Sequence, residues 1–439
     1  MKKYLLTCVV CCVALSLGAQ EATYTLRSCL ETGLEQNYSI RMSRNEQQIS
    51  DNDVTRANAG AVPEIGLSAG YTGSVDNTRT TSRDGQVAVD NGALGHAFNA
   101  GVDLDWTIFD GFRIRTSYRR LQELQKMGEL NTRIAIEDFV ASLTAEYYNF
   151  VQQKIRLGNF LYAVSLSKER LRIVEERYKI GSFSRLDLQQ ARVDFNADSS
   201  KYINQQELVY ASRIRLNELM AVPDVDARLS VADSLIGVDS SLRWETLLAD
   251  MLRTNASLLR SERDRTLAEL DLKTVQARNY PYVRLSAGYG YSLNRYGSGS
   301  TLRRHTLGPD AGLSAGITLF DGNRRREQRN ARIRIDNAQL GKLQLELSLR
   351  ADLANFWQAY GNNIELLKLE QENLVAAREN YEIAMERYKL GDLAGIEIRE
   401  AQKSLLDAEE RILTAQYNTK LCEISLLQIS GGVLVYLDR

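Results

Sequence analysis

The spacing of apolar positions changes period twice in each half of this chain, and both halves change in the same order. Over residues 63–74, Ile65, Leu67, Ala69 and Tyr71 alternate with Gly66, Ser68, Gly70 and Thr72, which predicts a strand with one apolar and one small polar face. Over residues 97–109, Phe98, Ala100, Val102, Leu104, Trp106 and Ile108 fall on one face, and Asn99, Gly101, Asp103, Asp105 and Thr107 on the other. The stretch between them, 75–95, is rich in Asn, Asp, Thr and Gly and reads as a polar loop. From 112 the period lengthens and predicts a helix over 112–180, with a return helix over 186–220 beyond Gly181. A helix of that length rises about 100 Å and needs partner helices along its course.

The second half repeats this order with strands over 281–292 and 311–320, a long helix over 323–390 and a return helix over 396–429. Residues 281–289, PYVRLSAGY, mirror 63–71, PEIGLSAGY, and the junction TLFDGNRRR at 318–326 mirrors TIFDGFRIR at 107–115. Each long helix closes on a further repeated motif, ERYKIG at 176–181 and ERYKLG at 386–391, whose glycines are expected to cap in left-handed geometry. A seam of Leu353, Phe356, Tyr360, Ile364, Leu367, Leu374, Tyr381, Met385 and Tyr388 continues into Leu405, Ala408, Ile412, Ala415, Thr419, Cys422 and Leu426. That near-heptad spacing is the coiled-coil signature. Shorter helices are expected over 21–37, 39–59, 244–255 and 258–278, with a strand-like tail over 431–437. The organisation is thus a first repeat over 21–225, a connector over 226–242 and a second repeat over 243–439.

Lys2, Lys3, the apolar run that follows and Gly18-Ala19 make residues 1–20 a secretory signal peptide. Its apolar run of about 14 residues is too short to span a bilayer, and no other segment reaches 18, so membrane insertion would require a closed sheet. Four strands cannot close a barrel that pairs every backbone group, so several chains must pool them. Two chains would give about eight strands with a filled interior; three would give about twelve with an aqueous lumen, which the small inward residues favour. The expected fold is therefore mixed α and β but mainly α: long coiled-coil helices in a trimeric α-barrel, topped by a transmembrane β-barrel with four strands per chain.

The formal charge of −1 supplies no electrostatic case for nucleic acid. His96 and His305 are the chain's two histidines, and no nucleophile triad or phosphate loop can be assembled, so no catalytic residues, cofactor or metal are expected. Cys29 and Cys422 survive signal removal; a disulfide is open to them, with Cys422 on an apolar seam favouring a buried thiol. Glu397 and Glu400 share a helix face just past the second turn, and Asp187 and Gln190 hold the corresponding places in the first.

The duplicated halves, the junctions ending Phe109-Asp110-Gly111 and Phe320-Asp321-Gly322, and the two Arg-Tyr-Lys-x-Gly turns together resemble the TolC-like outer-membrane efflux proteins. The resemblance implies a homotrimer in outer-membrane lipid, extending into the periplasm as the passive channel of a tripartite export system. It implies a periplasmic adaptor and an RND- or ABC-type inner-membrane transporter as partners. It places a periplasmic gate at Glu397, Glu400, Asp187 and Tyr388, with Tyr388 bonding Asp187 of a neighbouring helix. Adaptor-docking tips fall at Arg177, Tyr178, Lys179, Gly181, Arg387, Lys389 and Gly391. A basic latch residue of the family falls at Leu393, with Arg185 and Arg399 as basic neighbours able to substitute. The expected function is export of small molecules; a duct for type I protein secretion and a periplasmic coiled-coil adaptor or scaffold are the alternatives.

Overall fold

The computed structural model describes residues 23–298 and 301–438, so the expected signal peptide lies outside the described residues. In chain order the elements are β1 (Thr23–Tyr24), α1 (Leu26–Gln36), α2 (Tyr38–Asp53), β2 (Glu64–Thr81), β3 (Val87–Asp110), α3 (Arg113–Lys179) and α4 (Arg185–Leu219). There follow β4 (Ser230–Val231), α5 (Trp244–Thr254), α6 (Ala256–Ala277), β5 (Tyr282–Tyr296), β6 (Arg303–Gly316), α7 (Arg324–Leu390), α8 (Gly395–Ser430) and a 3-10 turn (Val433–Leu437). Contacts divide the chain into two units, one made of Glu46–Glu129 with Arg260–Lys342 and the other of the remaining described residues.

The first unit holds an antiparallel sheet in the order β2-β3-β5-β6. Its register sets Leu67 opposite Val102, Val102 opposite Tyr289, and Tyr289 opposite Pro309, so the apolar positions of all four strands share one face. The other face carries Ser68, Gly101, Asp103, Gly288, Gly290 and Asp310, with the Ser68 hydroxyl donating to Asp103 at 2.7 Å. Among the described residues, β2 and β6 are edges with no further strand partner.

The sheet boundaries differ from the sequence reading in both hairpins: β5 runs on to Tyr296 rather than 292, and β6 starts at Arg303 rather than 311, with Leu293, Asn294 and Arg295 paired to His305, Arg304 and Arg303. Residues 75–81 and 87–95 are paired rather than looped, past a register shift at Asp76/Thr78 where the Gly92 N–H donates to Asn77 Oδ1 at 2.7 Å. Val75, Leu94, Val89 and Val87 of this extension alternate with polar residues, but Arg79 and Thr81 stand opposite the two valines and the register shift breaks the period, so the polar composition masked the pairing. Conversely β6 stops at Gly316, because β5 begins at its partner Tyr282 and offers nothing opposite Ile317. Leu319 and Phe320 are consequently 90% and 88% exposed.

The repeated Phe-Asp-Gly junctions are not equivalent. Asp110 accepts the Ile114 N–H at 3.1 Å and the Arg113 guanidinium at 2.9 Å, while Gly111 (φ +70°) and Phe112 (φ +72°) are both left-handed. Asp321 instead pairs with Arg278 at 2.7 Å, and Gly322 is not left-handed.

In the second unit, α1 starts from a Thr25 capping box and buries Leu26, Cys29 and Leu30 against Phe139, Leu143 and Tyr147 of α3, Leu216 of α4 and Met220 at its C-terminal cap. A second cluster joins Leu247 and Met251 of α5 to Leu353 and Tyr360 of α7 and Cys422 and Leu426 of α8. Cys29 and Cys422 are both buried and unpaired, and burial pushes the Cys29 thiol up to about 12. The tail is a 3-10 turn rather than a strand: left-handed Gly431 ends α8 and folds Val433 and Tyr436 into the core. There the Tyr436 hydroxyl and the Lys420 ammonium both donate to Glu423 at 2.8 Å. Among the described residues, no helix is long and apolar enough to cross a membrane.

A Cβ at Gly111 would collide with the Ala277 carbonyl in addition to the left-handed penalty, whereas one at Gly322 meets only the Phe320 ring at 3.9 Å. Gly111→Ala is therefore expected to destabilise by about 2 kcal/mol or more, and Gly322→Ala by well under about 1. Thermal midpoints of the two purified variants check the difference; equal midpoints would show that the first junction is not constrained.

Candidate functional site

Both long helices must reverse, and a left-handed glycine performs each reversal: Gly181 at φ +81° and Gly391 at φ +92°. The same two bonds close each turn. Gly181 and Ser182 donate to Tyr178 and Arg177 carbonyls at 3.0 and 2.9 Å, and Gly391 and Asp392 donate to Tyr388 and Arg387 carbonyls at 3.1 and 3.0 Å. Arg177, Lys179, Arg387 and Lys389 sit in the last turns, where positive charge complements the carbonyl end of the helix.

The return helices start differently. At α4, Ser184 Oγ accepts the Asp187 N–H at 3.2 Å, and Asp187 accepts the Ser184 N–H at 2.9 Å and its hydroxyl at 2.6 Å. The Ser184 hydroxyl, followed by the backbone N–H, holds the Asp187 carboxyl below its usual value. At α8, Ala394 has no capping side chain, and Glu397 alone reaches back to its N–H at 3.1 Å. Two of the expected gate carboxylates thus serve as equivalent helix caps. Glu400 lies exposed beside Glu397.

Arg177 ties the turns together. Its guanidinium donates to the Tyr388 and Lys389 carbonyls at 3.0 and 2.9 Å and lies over the Phe183 and Tyr388 rings at 5.2 and 5.6 Å. Tyr178, Lys179, Arg387 and Lys389 are exposed, with Lys179 paired to Glu176 at 2.8 Å.

Behind the turns, Tyr388, Tyr381, Val174, Leu188, Ile398 and Leu405 form an apolar cluster. A polar network beside it joins three helices. Arg170 of α3 pairs with Asp194 of α4; Arg399 of α8 donates to Asp198 at 2.8 Å; the Ser167 hydroxyl donates to Asp198 and accepts from Gln402 at 3.1 Å. Burial pushes the Asp198 carboxyl up, but hydrogen bonds from Arg399 and Ser167 outweigh it and leave the group below its usual value. Burial likewise draws the Arg170 guanidinium down, against the pull of Asp194. A cavity of about 570 Å³ opens here, lined by Arg170, Phe183, Asp187, Asp194, Tyr388 and Arg399 among others.

Tyr388 and Asp187 line that cavity without bonding to each other within the chain; the buried Tyr388 hydroxyl has no hydrogen-bond partner among the described residues. Burial raises its phenol, with Arg170 and Arg177 opposing. Leu393 packs against the apolar cluster, and of its two basic neighbours Arg399 is engaged with Asp198 while Arg185 is exposed. The sequence reading missed Arg170, Asp194, Asp198, Ser167 and Gln402. A signal was present: Ala191, Asp198, Gln205 and Ser212 are buried at heptad spacing along α4, so Asp198 is a polar residue in a seam.

A family described as outer membrane efflux protein matches residues 30–222 and 247–432. The chain belongs to this family. It is 20% identical over 416 residues to outer membrane protein TolC of Escherichia coli strain K12, covering 90% of this chain and 80% of that one. It is 20% identical over 424 residues to outer membrane efflux protein BepC of Brucella suis biovar 1, covering 94% and 87%. Its fold matches the outer membrane protein VceC of Vibrio cholerae with a TM-score of 0.74 at 18% identity, covering 93% and 96% of the two chains. The CmeC outer membrane channel of Campylobacter jejuni matches with a TM-score of 0.75 at 18% identity, covering 93% and 85%. The family is one of outer-membrane channels, not of enzymes, and the protein is an outer-membrane efflux component.

Removing Arg399 strands a carboxylate that is only 2% exposed. Arg399→Gln should destabilise by about 2–3 kcal/mol. Because the folded Asp198 value is depressed, its contribution is present at neutral pH and is lost as pH falls through that value, below the ordinary carboxylate range. Thermal midpoints against pH check this: Asp198→Asn should flatten the acid limb, and an unchanged limb would show that another group governs it.

Proposed function

We propose that three copies of this chain form a passive outer-membrane conduit, pooling their strands into a barrel and their long helices into a periplasmic duct coupled to an adaptor and an inner-membrane transporter. The observation that carries this reading is the sheet. Its apolar face is bare along four strands, its opposite face is small and polar, and its edges β2 and β6 have no strand partner among the described residues. A sheet of that kind is stable in lipid only when closed with other copies. Exposed Ile317 and Leu319 continue the apolar alternation of β6 beyond its last partner, as a strand awaiting a neighbouring β2 would. The inner-membrane machinery would select the cargo, expected to be small molecules.

The turns fit the periplasmic entrance of such a duct. Glu397 and Glu400 from each copy would bring about six carboxylates to a threefold axis, a ring that attracts cations. Their exposure within one chain supports that role, and the unbonded Tyr388 hydroxyl supports a partner from a neighbouring copy, for which Asp187 is the candidate. Tyr178, Lys179, Arg387 and Lys389, held outward beside Gly181 and Gly391, are the proposed adaptor-docking tips. Arg177 acts behind them as the tie between turns.

The barrel is tested by one charge on two faces. Val102→Arg on the apolar face is expected to cost about 2–4 kcal/mol at mid-depth and to abolish heat-modifiable trimers in outer-membrane fractions, while Asn99→Arg on the other face leaves them. Equal trimer yields would overturn the facing. The entrance is tested in planar bilayers, where Glu397→Gln with Glu400→Gln should reduce cation selectivity and block by multivalent cations. Wild-type sensitivity in the double variant would remove these residues from the pore.

A further inference from the structure

The sheet carries one feature that conduction does not require. Both histidines sit on its apolar face, each bonded to a tyrosine of the adjacent strand: Tyr71 Oη to His96 Nδ1 and Tyr291 Oη to His305 Nδ1, both at 2.7 Å. The register shows where they fall. Gly73 pairs with His96, His96 with Arg295, and Arg295 with Arg303, so these four positions form a row across the sheet on a shared face. The next row toward the helices is Tyr71, Phe98, Leu293 and His305, and the one after it is Ala69, Ala100, Tyr291 and Leu307. On β5 and β6 the apolar positions of this face give way to Arg295 and Arg303, on the side of the sheet nearer the hairpin ends, with His96 beside them on β3, while β2 and β3 continue past this row with Val75 and Leu94.

That row is electrostatically one-sided. Arg295 and Arg303 are directly opposed on neighbouring strands, an arrangement that repels and destabilises the ladder. Neither guanidinium has an ion pair or hydrogen bond among the described residues, and neither this row nor the one below it contains a carboxylate. Arg304, on the opposite face, differs: it lies over the Tyr296 ring at 6.0 Å. Two adjacent forks with an imidazole beside them match the oxygens of a phosphate, which would convert the repulsion into charge-assisted hydrogen bonds. Directly below, Phe98, Leu293, Leu307 and Val102 offer an apolar surface that suits hydrocarbon chains rather than a free ion.

We propose that His96, Arg295 and Arg303 form a binding site for the phosphate headgroup of an anionic membrane lipid whose acyl chains lie along the apolar face. The site rests on the reading that this face meets lipid. Tyr71 and Tyr291 are positioning residues, holding the two imidazoles at the boundary by their hydroxyls.

The test is native mass spectrometry of the purified full-length protein released from mixed micelles containing diphosphoryl lipid A and phosphatidylcholine. The wild type should retain lipid A in preference to phosphatidylcholine, and Arg295→Gln with Arg303→Gln should lower that retention about tenfold. Arg295→Lys with Arg303→Lys should keep part of it, and Arg304→Gln, on the other face, should change nothing. Inorganic phosphate should fail to displace the lipid. Equal retention by the double glutamine variant, or an equal loss in Arg304→Gln, would overturn the site, as would displacement by inorganic phosphate. Membrane fractionation separates this from the barrel reading: variants that stay in the outer membrane as trimers but retain lipid normally remove the site alone, whereas a wild type outside the membrane removes both.

Discussion

β2 and β6 each present a row of backbone N–H and C=O groups with no strand partner among the described residues, and the face between them is apolar from Ile65 to Leu313. Each demand alone could be met within a single chain, by a covering helix or a charged edge. Together they are met most economically by more copies of the same sheet. The small residues of the opposite face suit the proposed closure, since Gly66, Gly101, Gly288 and Gly290 would leave room where bulky side chains would fill a lumen. The polar network behind the turns answers a related demand: helices that cannot all bury apolar seams need specific polar contacts to fix their register, as Arg399 and Asp198 do.

Much of this architecture was legible in periodicity. A change from period two to near 3.6 is a backbone signal, and it located the four main strands and four long helices because each presents one consistently apolar face. Elements held by backbone bonding alone escaped it. The outer part of the first hairpin sets Arg79 and Thr81 opposite Val89 and Val87 beyond a register shift, and the tail after Gly431 folds inward by a left-handed residue rather than by pattern. At the turns, the glycines were readable because few other residues tolerate their conformation. The caps were not: Asp187 and Glu397 stand out in sequence as acidic residues near a tip, yet their local work is to accept backbone N–H groups. Arg170 and Asp194 were missed because their pairing crosses from one helix to another and leaves no trace in the spacing of either.

Duplication supplies two copies of each device, and the copies have diverged where packing allows. Asp110 and Asp321 occupy the same motif, but one caps the following helix while the other anchors Arg278. Gly111 is confined by the Ala277 carbonyl, and Gly322 is free of any such neighbour. A repeat of identical letters therefore does not carry identical constraint, and only the first junction fixes the path of its helix through a left-handed pair.

The same divergence at the turns makes the two hairpins unequal in their readiness to open. The first turn of α4 is held by bonds in both directions between Ser184 and Asp187, whereas that of α8 begins at Ala394 and has only the return bond from Glu397. A missing side-chain cap is worth about 1 kcal/mol, which corresponds to roughly fivefold more frequent fraying of the turn that lacks it. In a ring built of such chains, the loosened ends would all be those of the second repeat. Any force applied at the tips would then unwind every other hairpin first, giving the ring a built-in alternation of stiff and yielding staves.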